Sequence, residues 1–199
     1  MSELPDTAAA APPDADVVER MAEAAVRDYD LAAQQRWVRR PMPTLEIVNE
    51  RFQRHLRQEL FQLLRRSADV SAEPLAVLPF GEFLQQLQGP CSLNVASLQP
   101  LRGQVLVAFE SGVVSAAVDV MYGGSGHLQA GMQGRDFSAA EQRVIQRLVQ
   151  SVCAAYGESW REIYPLTLAH ERCETHPQFA AIAAPAEMTV VTRMQVALG

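Results

Sequence analysis

PMPTLEIVNERFQRHLRQELFQLL, residues 41–64, carries the strongest regular pattern in the chain. The prolines at positions 41 and 43 end the preceding segment, and Thr44 is of a residue type that caps helix N-termini well. After it, apolar residues recur at spacings of three and four: Leu45, Val48, Phe52, Leu56, Leu60 and Leu63 or Leu64. This period predicts an amphipathic helix of about six turns.

The opposite face of this helix carries four arginines, Arg51, Arg54, Arg57 and Arg65. Residues 36–66 hold eight arginines and three acids, whereas residues 1–30 hold two arginines and eight acids. Two interpretations of the arginine face stay open. It is either a solvated helix surface or a docking face for an acidic partner.

A second long helix is predicted further along. Ser138 and Glu141 have the spacing of a capping box, in which each residue accepts the backbone N–H of the other. Apolar residues follow at helical spacing: Val144, Ile145, Leu148, Val149, Val152, Tyr156 and Trp160. Shorter amphipathic segments predict helices at residues 80–88 and 112–122.

Strands are predicted at residues 92–98, 105–109, 165–173, 178–183 and 189–198. The order of elements is long helix, strands, short helix, loop, long helix and strands, which suggests two related halves. Grouped strands flanked by helices favour an α+β fold with a mixed or antiparallel sheet and helices on both faces. Residues 1–16, mostly Ala, Pro and acids, predict a disordered arm.

Composition excludes several classes of function. All 17 basic residues are arginines, so a Schiff-base lysine and a phosphate-loop lysine are both excluded. The net charge of −6 argues against a general nucleic-acid binder. Three widely spaced cysteines fit a reducing cytoplasm better than a disulfide framework. No stretch reads as a secretory signal or a bilayer span.

Residues 123–136 contain five of the eleven glycines, a density that predicts no regular element. A phosphate-binding loop is not favoured, because a helix precedes the glycines and the next helix begins only at residue 138. Two interpretations remain, a flexible connection or a protein-docking loop. The second rests on the apolar and amphipathic residues nearby: Met121, Tyr122, His127, Leu128 and Met132.

A possible metal site lies at residues 170–176. His170, Cys173 and His176 are potential soft ligands, and Glu171 and Glu174 offer carboxylate oxygens. On a strand, however, residue 173 faces away from residues 170 and 176. We therefore predict two exposed histidines around a buried cysteine and no metal site.

Glu46 and Asn49 lie one helical turn apart on the first long helix. Such a pair can orient a water molecule for attack on an aspartyl phosphate, although it is also common on solvated helix faces. No serine or cysteine has a plausible base near it in the sequence. The residues alone do not require an enzyme.

Eight short motifs occur in one order along residues 29–199: Tyr29-Asp30-Leu31, Pro43-Thr44-Leu45-Glu46-Ile47-Val48-Asn49-Glu50-Arg51-Phe52, Ser92-Leu93-Asn94, Pro100-Leu101-Arg102-Gly103, Tyr122-Gly123-Gly124-Ser125-Gly126, Gly134-Arg135-Asp136-Phe137, Glu141-Gln142-Arg143-Val144-Ile145-Gln146-Arg147 and His176-Pro177-Gln178-Phe179. Together they resemble the FliM family of flagellar motor switch proteins. The resemblance implies an α+β fold, the CheC-like pseudo-two-fold α/β/α sandwich with a mostly antiparallel sheet. It also implies a disordered arm at residues 1–28, a FliM middle domain at residues 29–199, and no C-terminal FliN-like domain.

By the same resemblance, the glycine-rich motif would dock the middle domain of FliG. The implied contact residues are Tyr122, Gly123, Gly124, Ser125, Gly126 and His127. Glycines would let the partner lie against the backbone, so a bulky residue there would block docking without disturbing the fold. No cofactor or metal is implied.

The resemblance further implies a place in the rotor C-ring of the flagellar basal body, on the cytoplasmic face of the inner membrane. There, neighbouring FliM copies would be partners and chemotactic signals would set the direction of rotation. FliN and phosphorylated CheY bind other segments of the family, and residues 1–16 do not resemble the CheY-binding segment. Neither nucleic-acid binding nor membrane insertion is expected.

CheC-type phosphatases of phosphorylated CheY share this fold and provide the alternative function. They use a Glu-x-x-Asn pair preceded four residues earlier by an acid or serine, normally in two copies. Here Met42 occupies that earlier position, and the second long helix has Val144 where asparagine would stand. The resemblance therefore favours a switch component that is not an enzyme.

Overall fold

The computed structural model describes residues 42–87, 89–126 and 137–198. Its α-helices are α1 (Pro43–Leu64), α2 (Phe80–Gln86), α3 (Ser111–Met121) and α4 (Ala139–Trp160). Its strands are β1 (Ala68–Ala72), β2 (Ala76–Pro79), β3 (Cys91–Gln99), β4 (Gly103–Glu110), β5 (Thr167–Glu174), β6 (Met188–Val191) and β7 (Met194–Leu198), with a 3-10 turn at Pro177–Phe179. Each predicted half thus begins with a 22-residue helix.

The two long helices begin in different ways. Ser138 caps α4 as predicted: its Oγ accepts the Glu141 N–H at 3.4 Å, and Glu141 Oε2 accepts the Ser138 N–H at 2.7 Å. The predicted cap of α1 is wrong, because Thr44 is already the second helical residue and Met42 is the N-cap, with no side-chain bond. Proline suits the first helical position, since its fixed φ is helical and its missing N–H is not needed there.

The main core lies between α1 and α4. The Phe52 and Tyr156 rings meet edge to face at 5.3 Å. The buried residues of this core come from four elements: Phe52, Leu56, Leu60, Leu64, Ala68, Val70, Ala117, Val120, Val144, Leu148 and Ala155. Burying each large apolar side chain contributes about 1.5–3 kcal/mol, so the facing stripes of the two helices account for much of the stability.

A three-stranded antiparallel sheet, in the order β4-β3-β5, forms the centre of the domain. Its middle strand β3 is covered on both sides. On one side Ala96 packs with residues of α3 and α4. On the other, Leu93 packs with Ala180 and with Leu87 at the end of α2. Helices therefore cover one face, whereas the other is covered by the residues at the end of α2 and the turn at Ala180. This arrangement agrees with the predicted α+β class.

Four further strands form two antiparallel ladders, β1 with β7 and β2 with β6. Between the ladders, the Glu73 N–H donates to the Arg193 carbonyl at 2.9 Å. The two ladders are therefore successive parts of one ribbon. The single strand predicted at residues 189–198 has the right extent, but the ribbon is interrupted at Thr192 and Arg193.

The strand predicted at residues 178–183 is wrong. Pro177 starts a 3-10 turn in which the Ala180 N–H donates to the Pro177 carbonyl at 3.2 Å. Ala180 is fully buried against the central sheet. The segment therefore covers the sheet without extending it.

The predicted arm, residues 1–28, and the first residues of the predicted domain, 29–41, lie outside the described residues, so the domain boundary at residue 29 stays a prediction. Among the helices of the described ranges, none has the length and apolar character needed to cross a membrane.

Candidate docking site

The end of α3 is closed by a regular hydrogen-bonded turn. The Gly123 N–H donates to the Val120 carbonyl at 3.0 Å, and the Gly124 N–H to the Asp119 carbonyl at 2.8 Å. These are the two bonds of a Schellman motif, in which Gly123 is the left-handed residue with φ +89°. Residues 122–126, here named the glycine loop, thus start from a defined helix end. The rest of the predicted connection, residues 127–136, lies outside the described residues.

The side chain of Asp119 binds the last residue of the glycine loop. Its Oδ2 accepts the Gly126 N–H at 2.7 Å. A hydrogen bond to a carboxylate is roughly twice as strong as one between neutral groups. Asp119 therefore accepts three amide protons of the loop, those of Tyr122 and Gly124 with its main-chain oxygen and that of Gly126 with its side chain.

Two glycines of the loop have close neighbours at the position where a side chain would begin. A Cβ at position 124 would lie 2.0 Å from Asp119 Oδ1. A Cβ at position 126, where φ is +83°, would lie 3.1 Å from Val120 Cγ2 and 3.6 Å from the Leu198 Cβ in β7. Any side chain at position 124 must displace the Asp119 carboxylate, so the expectation that a bulky residue at Gly124 leaves the fold undisturbed stays a prediction for a stability measurement.

The outer side of the glycine loop faces solvent. Tyr122 is 75% exposed, and Gly123 and Ser125 are exposed as well. The Ser125 carbonyl accepts a hydrogen bond from Arg66 Nη1 at 3.3 Å, which ties the loop to the residues after α1. An aromatic ring beside accessible backbone is suited to protein docking.

His127, the sixth residue predicted to contact a partner, lies outside the described residues, as do Leu128 and Met132 of the same segment. The structure therefore brings together five of the six predicted residues, Tyr122 to Gly126, in one continuous surface turn.

A phosphate site does not fit this loop. The amides of Gly124 and Gly126, which would have to hold the anion, already donate to Asp119. The Asp119 carboxylate would in addition repel a phosphate at short range.

The two residues of the phosphatase hypothesis, Glu46 and Asn49, differ in their exposure to solvent. Glu46 is exposed, whereas Asn49 is only 6% exposed and is not on the solvated face that the helix pattern suggested. Its Nδ2 donates to Thr192 Oγ1 at 3.3 Å. The amide thus joins α1 to the connection between β6 and β7, and it does not face solvent beside the carboxylate.

The possible metal ligands are also dispersed. The Cys173 Sγ lies 3.4 Å from Ser92 Oγ, and the thiol is exposed, in contrast to the buried cysteine predicted here. A β-bulge separates it from His170, and the His176 ring lies 6.1 Å from that of Phe179. Within the described ranges, no group of three His, Cys, Asp or Glu side chains could hold a metal ion.

The arginine face of α1 is partly used within the domain. Arg51 pairs with Glu162 at 2.7 Å, and Arg57 with Asp69 at 3.4 Å. Arg54 is exposed. The face is therefore neither wholly solvated nor wholly available to a partner.

Sequence reasoning missed three residues that shape the loop: Asp119, Arg66 and Leu198. Only Asp119 carried a detectable signal, because an acid in the last turn of a helix lies at the negative end of the helix dipole. Arg66 and Leu198 reach the loop through tertiary structure that no local pattern encodes.

The chain is similar to proteins of one family. The family model described as "Flagellar motor switch protein FliM" matches residues 38–199. The flagellar motor switch protein FliM of Escherichia coli K12 is 40% identical over 178 residues, which cover 89% of this chain and 53% of that protein. The chain spans about half the length of the curated relatives it matches.

Solved structures agree with this similarity. The crystal structure of a FliM middle domain from Vibrio alginolyticus has a TM-score of 0.70 at 35% identity, covering 78% of this chain and 86% of that one. The FliG-FliM complex from H. pylori has a TM-score of 0.73 at 21% identity, covering 80% and 88%. At that identity, the second comparison shows the fold alone. The predicted FliM-type α+β fold is confirmed.

Proposed function

Because the chain belongs to the FliM family of flagellar motor switch proteins, we propose that it is a component of the flagellar motor switch and docks the middle domain of FliG through the glycine loop. In this role it passes chemotactic signals to the rotor and thereby sets the direction of rotation. Such transmission requires only a difference in contact free energy between two ring states, of about 1–3 kcal/mol per coupled site.

The observation that carries this proposal is the Schellman turn at the end of α3, whose first residue, Tyr122, is 75% exposed. Large aromatic residues are the side chains most often dominant in protein interfaces. The hydrogen bonds of Gly124 and Gly126 to Asp119 fix one side of the loop, whereas Gly123 and Ser125 are exposed. A related FliM from H. pylori has been crystallised in complex with FliG, which supports the choice of partner.

We propose no catalytic activity for this chain. The phosphatase alternative needs an accessible Glu-x-x-Asn pair, and Asn49 is buried and bonded to Thr192. Met42 also stands where those enzymes carry an acid or serine. Incubation with phosphorylated CheY is therefore expected to leave its rate of phosphate release unchanged.

The family membership also supports a location and further partners. We propose that the domain, residues 29–199, lies in the C-ring of the flagellar basal body on the cytoplasmic face of the inner membrane. Neighbouring FliM copies would surround it there, with an arm at residues 1–28 preceding the domain. FliN and phosphorylated CheY are the further partners that the family implies.

The test is isothermal titration calorimetry of the full chain with the FliG middle domain. We expect the parent to bind and Tyr122→Ala to weaken the Kd about 30-fold, since an aromatic hot spot contributes about 2 kcal/mol. Ser125→Arg places a long charged side chain on the exposed loop and should also weaken binding. Circular dichroism would establish that each variant is folded.

Tyr164→Ala is the matched control, because Tyr164 is also an exposed tyrosine, at 45%, and lies after α4, outside the loop. It should bind like the parent. A folded parent that does not bind FliG, or equal losses in Tyr122→Ala and Tyr164→Ala, would contradict the assignment of the loop as the docking site.

A further inference from the structure

Asp119 occupies a position that local physics disfavours. It lies in the last turn of α3, a helix with no basic residue at that end. A negative side chain at a helix C-terminus is repelled by the carbonyl end of the helix dipole. Asp119 is also half-buried as a residue, and burial of a charged group adds a desolvation cost. Both costs require a compensating interaction in the folded protein.

The compensation is the contact between the Asp119 carboxylate and the glycine loop. Oδ2 accepts the Gly126 N–H at 2.7 Å, and the carboxylate occupies the space that a side chain at position 124 would fill, 2.0 Å from the Cβ position. A Schellman motif is usually completed by an apolar contact between the third-last helical residue and the second residue after the cap. Here those two residues are Asp119 and Gly124, and the carboxylate replaces the apolar contact.

We propose that Asp119 is the positioning residue of the docking site, which holds Gly124 and Gly126 in the one loop conformation that the partner recognises. The inference rests on the proposed docking function and deepens it, because it names the residue that prepares the loop. A loop already fixed in its bound shape loses less conformational entropy on binding. Asp119 therefore contributes to affinity without touching the partner.

The loop is held from two other directions as well, and these contacts do not replace Asp119. Arg66 bonds the Ser125 carbonyl, and Leu198 lies beside Gly126. Neither supplies an acceptor for the Gly126 amide. Without the carboxylate, the amide would have to turn toward water, and the backbone between Gly124 and Gly126 would change with it.

The first measurement is amide hydrogen exchange by NMR in the full chain. Removing the charged acceptor in Asp119→Ala should speed exchange of the Gly126 amide by about tenfold or more. Asp119→Asn keeps a weaker oxygen acceptor, so its exchange rate should lie between those of the parent and Asp119→Ala. The Gly124 amide is an internal reference, since its acceptor is the main-chain oxygen of residue 119, which every variant retains.

The second measurement is the Kd for the FliG middle domain. Asp119→Ala should weaken it by about tenfold, with Asp119→Asn restoring most of the affinity. Asp69→Ala is the matched control, because Asp69 is an exposed carboxylate paired with Arg57 on another element. It should change neither the exchange of Gly126 nor the affinity.

The double variant Asp119→Ala with Gly124→Ala tests the packing by comparing stabilities, so it does not depend on FliG binding. If the carboxylate is what excludes a side chain at position 124, then Gly124→Ala should destabilise the parent and have little or no destabilising effect in the Asp119→Ala background. Equal destabilisation in both backgrounds would overturn the proposed packing.

The outcomes separate the two proposals. Unchanged Gly126 exchange in Asp119→Ala overturns the positioning role. Faster exchange with unchanged FliG affinity also overturns it, because docking would then not depend on the loop conformation. A parent that does not bind FliG overturns the docking function, whereas the exchange and double-variant data still decide whether Asp119 fixes the loop.

Discussion

Gly124→Ala is expected to lower the free energy of unfolding by about 1.5 kcal/mol, and the sign of this change tests whether the Asp119 carboxylate lies beside Gly124. The backbone of Gly124 is not in the left-handed region, unlike those of Gly123 and Gly126. With nothing in the way, replacing such a glycine by alanine stabilises a protein by about 0.4–1 kcal/mol, because the unfolded chain loses freedom. The Asp119 carboxylate reverses that expectation.

The magnitude follows from the contact that must be given up. An alanine Cβ at position 124 would lie 2.0 Å from Asp119 Oδ1 and 2.4 Å from Oδ2. The carboxylate must therefore leave, and its hydrogen bond to the Gly126 N–H is lost with it. Hydrogen bonds to charged groups contribute about 1.5–3 kcal/mol, which outweighs the gain from the restricted unfolded chain.

The assay is urea unfolding followed by circular dichroism, with Gly112→Ala as the matched control. Gly112 lies in α3 itself and has no atom within 4 Å of its Cβ position, so alanine there should stabilise by about 0.4–1 kcal/mol. If Gly124→Ala is instead as stable as the parent or more so, the carboxylate does not occupy that space and the reasoning about the loop fails.

Three other predictions follow from named contacts. Ser138→Ala removes one bond of the capping box and should lower the unfolding free energy by about 1 kcal/mol in the same urea assay, with no change in FliG binding. Asn49→Ala removes the amide that joins α1 to the β6–β7 connection and should cost about 1–3 kcal/mol while leaving phosphate release from phosphorylated CheY at its spontaneous rate. Burial raises the pKa of the Cys91 and Cys153 thiols. The exposed Cys173 should therefore be alkylated first at pH 8, as mass spectrometry of partly labelled protein would show. As the pH rises above about 8.5, the unfolded state loses thiol protons that the folded state keeps, so the free energy of unfolding should fall.

The helices were predictable because their signals are local. The spacing of Leu56 and Leu60 and the Ser138–Glu141 box depend on residues within one or two turns. The start of α1 was the exception. Thr44 is a residue type that favours the N-cap, whereas Pro43 favours the first helical position. Both cannot hold, and the helix begins at Pro43, before the threonine.

The strands that were missed depend on partners far along the chain. β1 and β2 are short and contain Ala, Pro and Asp, which have low strand propensity. They are strands because β7 and β6 lie beside them. The predicted strand at residues 178–183 is wrong because no strand pairs with it in the described ranges. Pro177 favours a turn there, and Ala180 is buried in the core.

The position of the glycine loop could be predicted from the residues, but its conformation could not. The sequence does not show that the chain returns so that Leu198 contacts the loop, or that a carboxylate fills the space beside Gly124. A run of glycines indicates only that side chains are absent. What occupies the vacated space is determined by the tertiary fold.

The ribbon that joins β1 to β7 also sets the order in which the domain can be completed. Ala68 and Leu198 are paired although 130 positions separate them, so this part of the fold has high contact order and forms late. On the ribosome, α1 and the central hairpin of β3 and β4 can emerge and collapse while β1 still has no partner. Leu198 also lies against Gly126, so a nascent chain acquires a finished glycine loop only when β7 has left the exit tunnel. Synthesis itself thus withholds the proposed docking surface until β7 is present.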